Sequence, residues 1–270
     1  MSRSFFVLLP LVMLMLSGCS LDGFLFNTES LNTYALPDNT IPDSLLEEVT
    51  FPSGDNTLYG YWVESSGSRP GLAILYCHGN KHNLDEYWDR VLLMHRLGTN
   101  LLIFDYRGFG RSEGTSSEEG IYRDADAALS FVHSRGFSSD SIVVIGYSLG
   151  NVPAIYLASE RIKPRALISE APFASSSSLT QGSLGLDLPA GWLTEGRFDN
   201  ADRIKRISTP FMLIHGSADD FVRWRDNGRV IFENAHEPKK LILVEGGNHT
   251  DLPDRLGDSL YLASIEQWIR

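Results

Sequence analysis

A serine framed by two glycines, Gly146-Tyr147-Ser148-Leu149-Gly150, stands where a β-branched run (Val143, Val144, Ile145) gives way to a helical stripe of Val152, Ile155 and Tyr156. A chain that turns from strand to helix so sharply has no room for a Cβ two positions either side of the serine. The turn lifts the hydroxyl clear of the sheet, and the new helix aims its N–H groups and positive dipole end at it. That is a setting for a nucleophile, although a Gly-rich turn with an incidental serine is spelled the same way. Other strand-like runs also end in polar residues. Residues 72–77 lead into His78-Gly79-Asn80, and 101–104 into Asp105-Tyr106-Arg107-Gly108. Residues 211–214 lead into His215-Gly216-Ser217-Ala218-Asp219-Asp220, and 241–244 into Glu245-Gly246-Gly247-Asn248-His249. A hydroxyl, a carboxylate and an imidazole therefore follow three strands in the order Ser148, Asp219, His249. Asp220, or Glu170 after the run 166–169, are the alternative carboxylates.

The elements that must position these groups follow from periodicity. Residues 45–51 and 58–63 read as an edge hairpin across a Pro-Ser-Gly-Asp-Asn turn. From Gly71 onward, strands alternate with helices. The helical stripes are 84–97, 118–135, 227–234 and 258–268, besides the one after Ser148. The second of these opens with a capping box, Ser116-x-x-Glu119, and closes at Gly136. Repeated strand–helix units predict an α/β fold, a mostly parallel central sheet with helices on both faces. Sites in such sheets form beyond the carboxyl ends of the strands, where the polar residues above lie. Between 174 and 199 the pattern fails in a Ser- and Gly-rich insertion, read as a short cap. No internal repeat and no second domain are evident, so 45–270 is one domain.

Composition narrows the function classes. The chain has 270 residues, 43% hydrophobic and 11% aromatic, enough for one globular core. A net charge of −11, with no basic stripe, argues against a nucleic-acid partner. The two cysteines differ: Cys77 sits in an apolar run as a small buried hydrophobe, Cys19 ends a leader, and no disulfide is expected. No His/Cys/Asp cluster has metal spacing, and no Gly-rich loop follows the first parallel strand, so neither metal nor cofactor is expected.

Residues 1–18 carry one charge, Arg3, before the apolar run 5–16, too short to span a bilayer comfortably and typical of a signal-peptide core. Its end, Leu16-Ser17-Gly18-Cys19, resembles the lipobox of bacterial lipoproteins. That resemblance implies a lipid on Cys19, a mature chain starting there, and membrane attachment through several acyl chains. Ser20, in place of Asp, points to the outer membrane, facing the periplasm. Residues 19–44 lack periodicity and read as a tether.

From residue 45 onward the chain resembles the α/β-hydrolase family, and looks closest to compact serine hydrolases of the lysophospholipase, monoacylglycerol lipase and depalmitoylase type. The resemblance implies that Ser148 is the nucleophile, Asp219 the acid of the His-Gly-x-x-Asp motif and His249 the base. It implies an oxyanion hole from the N–H groups of Asn80 and Leu149. His78 and His215 are then loop-orienting, and Asp105 and Arg107 turn-builders. Asn151 departs from the family's small residue and is expected to crowd the helix that follows. The implied activity is hydrolysis of carboxylic esters or thioesters through an acyl-enzyme. The alternatives are a serine peptidase of the same fold and a non-catalytic envelope lipoprotein. Leu184, Leu186, Leu188 and Trp192 either line an acyl pocket or simply pack. No obligate protein partner is evident.

Overall fold

In the computed structural model, residues 25–183 and 197–270 are described. The leader with Cys19, and the four apolar residues of the cap named above, lie outside them. The described strands are β1 (Asn27–Thr28), β2 (Leu46–Ser53), β3 (Asn56–Val63), β4 (Ala73–Cys77), β5 (Lys81–His82), β6 (Asn100–Phe104), β7 (Ile142–Tyr147), β8 (Ala166–Glu170), β9 (Phe211–Gly216) and β10 (Lys239–Val244). Eight of them form one sheet in the order β10-β9-β8-β7-β4-β6-β3-β2. Every neighbouring pair from β10 to β6 is parallel, while β3 runs antiparallel to both β6 and β2. The expected architecture, a mostly parallel sheet wrapped by helices with a hairpin at one edge, is therefore present.

The strands β4, β6, β7, β8 and β9 are buried along their whole length. Helices cover both faces, so these strands read as unbroken apolar runs instead of alternating ones. Alternation decides only which face each residue serves. Leu75, Val144 and Leu167 meet helix Glu118–Ser134 through Ile121, Ala125 and Val132. Ile74, Val143, Ile145 and Ile168 share the opposite core with Trp88 and Val91 of helix Trp88–His95 and with Tyr261 and Ile265 of helix Asp258–Ile269. Each buried Val, Leu or Ile among these contributes about 1.5–3 kcal/mol by burial.

Three local expectations shift. Helix Glu118–Ser134 is capped by Ser117, whose Oγ accepts from the Gly120 N–H at 3.1 Å, not by Ser116. The hydroxyl of Ser116 instead donates to the Arg107 carbonyl at 2.6 Å. The stripe 84–97 splits into a 3-10 turn, Leu84–Tyr87, and an α-helix, Trp88–His95, because Asn83 caps the turn through Asp85 N–H. Part of the insertion read as loop, Ser176–Ser183, is helical.

The largest difference is the stretch read as a tether. From Leu25 it lies against the domain as a strap. Asn27 and Thr28 pair in parallel with Lys81 and His82. The Leu31 N–H donates to the Gly110 carbonyl at 2.8 Å, and the Tyr34 hydroxyl donates to the Asp105 carboxylate at 2.6 Å. The Asp85 carboxylate accepts from the N–H groups of Ala35 and Leu36 at 2.8 and 3.0 Å. Leu25, Phe26, Tyr34 and Ile41 are buried. Isolated anchor points of this kind leave no periodic trace in sequence.

Candidate active site

Ser148 sits one residue beyond β7, with a left-handed φ of 50° that a non-glycine residue adopts only under local constraint. Both glycines explain how the chain keeps it there. A Cβ on Gly150 would stand 1.9 Å from the Cys77 carbonyl oxygen, and one on Gly146 would stand 2.7 Å from the Gly150 carbonyl. The helical start is thus pressed against the end of β4, which also delivers Asn80. Burial pushes the Cys77 thiol up to about 12, so it is an inert part of that packing.

The imidazole of His249 comes from the connection after β10. Its Nε2 lies 2.9 Å from Ser148 Oγ, and its Nδ1 lies 2.8 Å from Asp219 Oδ2. The other Asp219 oxygen accepts from the N–H groups of Phe221 and Val222 at 3.0 and 2.7 Å. The carboxylate is thereby fixed with one oxygen aimed at the ring. A neutral ring protonated on Nδ1 donates to Asp219 and presents a lone pair to the serine hydroxyl. The ring is wedged between Phe221 and Tyr147, at centroid distances of 5.0 and 5.5 Å. The Tyr147 hydroxyl also donates to the His249 carbonyl at 3.2 Å, and burial raises the pKa of that phenol, keeping it a donor. Asn80 lines the space on both sides of Ser148, and Leu149 lines one side.

Residues 68–195 match the Hydrolase_4 family, described as serine aminopeptidase, S33. The uncharacterized protein YfhR of Salmonella typhimurium is 30% identical over 267 residues, covering 92% of this chain and 90% of that one. The alpha/beta hydrolase domain-containing protein 17B of Xenopus laevis is 30% identical over 202 residues, covering 73% of this chain and 65% of that protein. An esterase from Pyrococcus furiosus superposes with a TM-score of 0.69 at 21% identity, over 86% of this chain and 95% of that one. The chain belongs to the α/β-hydrolase family.

Within this α/β-hydrolase the alternative carboxylates stand elsewhere. Asp220 is exposed. Glu170 is buried at the end of β8, where it pairs with Arg90 Nη1 at 2.6 Å and accepts from the Tyr261 hydroxyl. Arg90 also donates through Nη2 to the Thr250 carbonyl at 3.1 Å and lies over the Tyr147 ring. It therefore braces the loop that carries His249, a role no motif announces: it is one charged residue within an amphipathic helix. Asn151 does not crowd the elbow helix as expected. Fully buried, it donates through Nδ2 to the carbonyls of Ser148 and Glu170, at 3.1 and 2.8 Å, and ties the serine turn to β8.

The histidines at 78 and 215, with Asp105 and Arg107, make packing and hydrogen-bond contacts around the site. His78 stacks on Tyr87 at 5.0 Å and lies 3.2 Å from Asp105, the carboxylate that also holds Tyr34 of the strap. Arg107 pairs with buried Asp124 at 2.7 Å. His215 donates through Nε2 to the Val222 carbonyl at 2.8 Å, and burial lowers its pKa. Among the described residues no group of three or more His, Cys, Asp or Glu side chains could hold a metal ion.

Two unlike spaces meet at Ser148. One is a chamber of about 530 Å³ with a mixed lining, in which Tyr87 and Tyr147 stand beside the charged Lys81, Glu86, Asp89 and Arg90. The other is a slot of about 10 Å³ lined by Leu25, Leu149, Phe173, Leu179, Phe221 and Val222.

Proposed function

We propose that this α/β-hydrolase is a serine hydrolase that cleaves carboxylic esters or thioesters through an acyl-enzyme. The observation that carries the reading is the continuous contact from Ser148 Oγ through His249 to Asp219, at 2.9 and 2.8 Å. A serine hydroxyl is a weak nucleophile at neutral pH, so His249 takes its proton as Oγ attacks the carbonyl. Asp219 holds the ring in the productive tautomer and stabilises the imidazolium as it forms. The N–H groups of Asn80 and Leu149 stabilise the oxyanion, each worth about 3–4 kcal/mol in comparable sites. His249 then returns the proton to the leaving group, and water, activated by the same ring, releases the acyl group.

A fluorophosphonate probe should label the wild type and fail to label Ser148→Ala, whose unfolding temperature should be little changed. Absence of labelling in the wild type, beside a labelled control hydrolase, would reject the reading in favour of a non-catalytic envelope protein. The matched family's description favours one competitor, an aminopeptidase. Glu86 and Asp89 line the chamber where a substrate ammonium would sit, but Glu86 is paired with Lys81. Aminoacyl-anilides run beside p-nitrophenyl esters separate the two.

We further propose that Cys19 is lipidated and holds the protein at the outer membrane, facing the periplasm. The apolar run and the Leu-Ser-Gly-Cys ending support this. Among the described residues no helix is long and apolar enough to cross a membrane. Cys19→Ser should shift the protein from the membrane fraction to the soluble fraction. Retention of an acylated mature chain would contradict it.

A further inference from the structure

The two spaces beside Ser148 differ in the chemistry they can take. A carbonyl attacked by Ser148, with its oxygen toward Asn80 and Leu149, sends its two substituents to opposite sides. The chamber is mixed, with Lys81, Glu86, Asp89 and Arg90 in its lining, whereas leucines, phenylalanines and Val222 surround the slot, so the alkyl part of an acyl group is better matched to the slot. The larger chamber is left for the leaving group. The slot's volume of about 10 Å³ is close to the room one water occupies. It accepts a methyl group and little more.

One wall of the slot comes from the N-terminal strap. Leu149 follows β7, Phe173 and Leu179 follow β8, and Phe221 and Val222 follow β9, so five lining residues stand on connections leaving the sheet. Leu25 comes from outside that frame. Its side chain is 4% exposed, and the next residue, Phe26, packs on Phe198 with ring centroids 6.1 Å apart. The pairing of Asn27 with Lys81 fixes the strap's register one residue beyond Asn80. Leu25 therefore has a defined position at the slot, set by backbone pairing.

We infer that Leu25 closes the apolar slot beside Ser148 and restricts this protein to the shortest acyl groups, acetyl above all, on polar alcohols or thiols. This rests on the serine-hydrolase reading above and names its substrate class. Residues far along the chain build the reaction centre, while a residue ahead of the domain sets its selectivity.

The test compares p-nitrophenyl acetate, butyrate and octanoate on the full chain. The wild type should favour acetate over octanoate in kcat/KM. Leu25→Ala should raise the octanoate-to-acetate ratio by about tenfold or more, since each methylene admitted to an apolar pocket discriminates by at least that factor. Leu25→Val, a smaller change for use if the alanine variant unfolds, should raise the butyrate-to-acetate ratio. Leu260→Ala, at an exposed leucine on the last helix, should leave all ratios as they are. A wild type that prefers octanoate, or ratios unmoved in folded Leu25 variants, overturns the inference while leaving the hydrolase reading intact. Loss of all ester turnover together with loss of fluorophosphonate labelling in the wild type overturns both.

Discussion

Asp219 shows how much a single atom's placement decides. One of its oxygens is committed to the N–H groups of Phe221 and Val222, which leaves the other for His249. Asp219→Asn keeps the shape, but the two backbone donors demand the amide oxygen. The amide NH₂ then faces Nδ1, which must give up its proton, and Nε2 carries that proton toward Ser148. The hydroxyl loses its acceptor. On the proposed mechanism kcat for p-nitrophenyl acetate should fall by about 10⁴-fold, as in a comparable triad, with an unaltered circular dichroism spectrum. A fall of less than about tenfold would reject Asp219 as the orienting group. Ser148, Asp219 and His249 were legible in sequence because each lies within five residues of a strand's carboxyl end, where the parallel sheet gathers its connections. Asn151 was not. Its role depends on the carbonyl of Glu170, which only the β7–β8 pairing brings within reach.

Elements are joined beneath the site by the Arg90 and Glu170 pair. It connects helix Trp88–His95, the end of β8, Tyr261 of the last helix and the Thr250 carbonyl. Its partners are 80 residues apart, and neither sits in a motif, so periodicity could place the helix and the strand but not the ion pair. Removing one partner strands a buried charge. Arg90→Met should cost about 3–5 kcal/mol in urea unfolding. Arg90→Met combined with Glu170→Gln should cost clearly less than the sum of the single changes, since the stranded charge is gone. Strict additivity would show that the pair is not coupled. The Ser117 cap teaches a smaller lesson of the same kind. Ser116 has the better spelling, with Glu119 at capping-box spacing, but the Arg107 carbonyl claims its hydroxyl and leaves the cap to Ser117.

For the whole molecule, burial of His215 predicts how stability responds to acid. Desolvation is the main cause of its lowered pKa, and its Nδ1 has no hydrogen-bond partner. The unfolded chain takes up a proton near the ordinary value of about 6.5, whereas the folded chain does so only at lower pH. Between those values the unfolded state holds more protons, so stability falls as pH falls through about 6.5 and levels off below the folded value. Urea midpoints measured from about pH 7.5 to about pH 5 should show this slope, reduced in His215→Gln. An equal slope in both proteins would assign the acid sensitivity to other groups. At this scale the α/β architecture was readable, because buried parallel strands announce themselves as apolar runs and their helices as stripes. The strap was not, because two paired residues and a few point contacts make no pattern.

The exposed residues 42–44 join that strap to the edge hairpin. A protease cutting there would sever the covalent link between the leader-proximal segment and the sheet, leaving Leu25 to Ile41 held by packing and hydrogen bonds alone. If Cys19 is the anchor and Leu25 the stopper, as proposed above, dissociation of the nicked strap would both free the folded body from its lipid and open the recess beside Ser148, so that shedding and broadened appetite would arrive together.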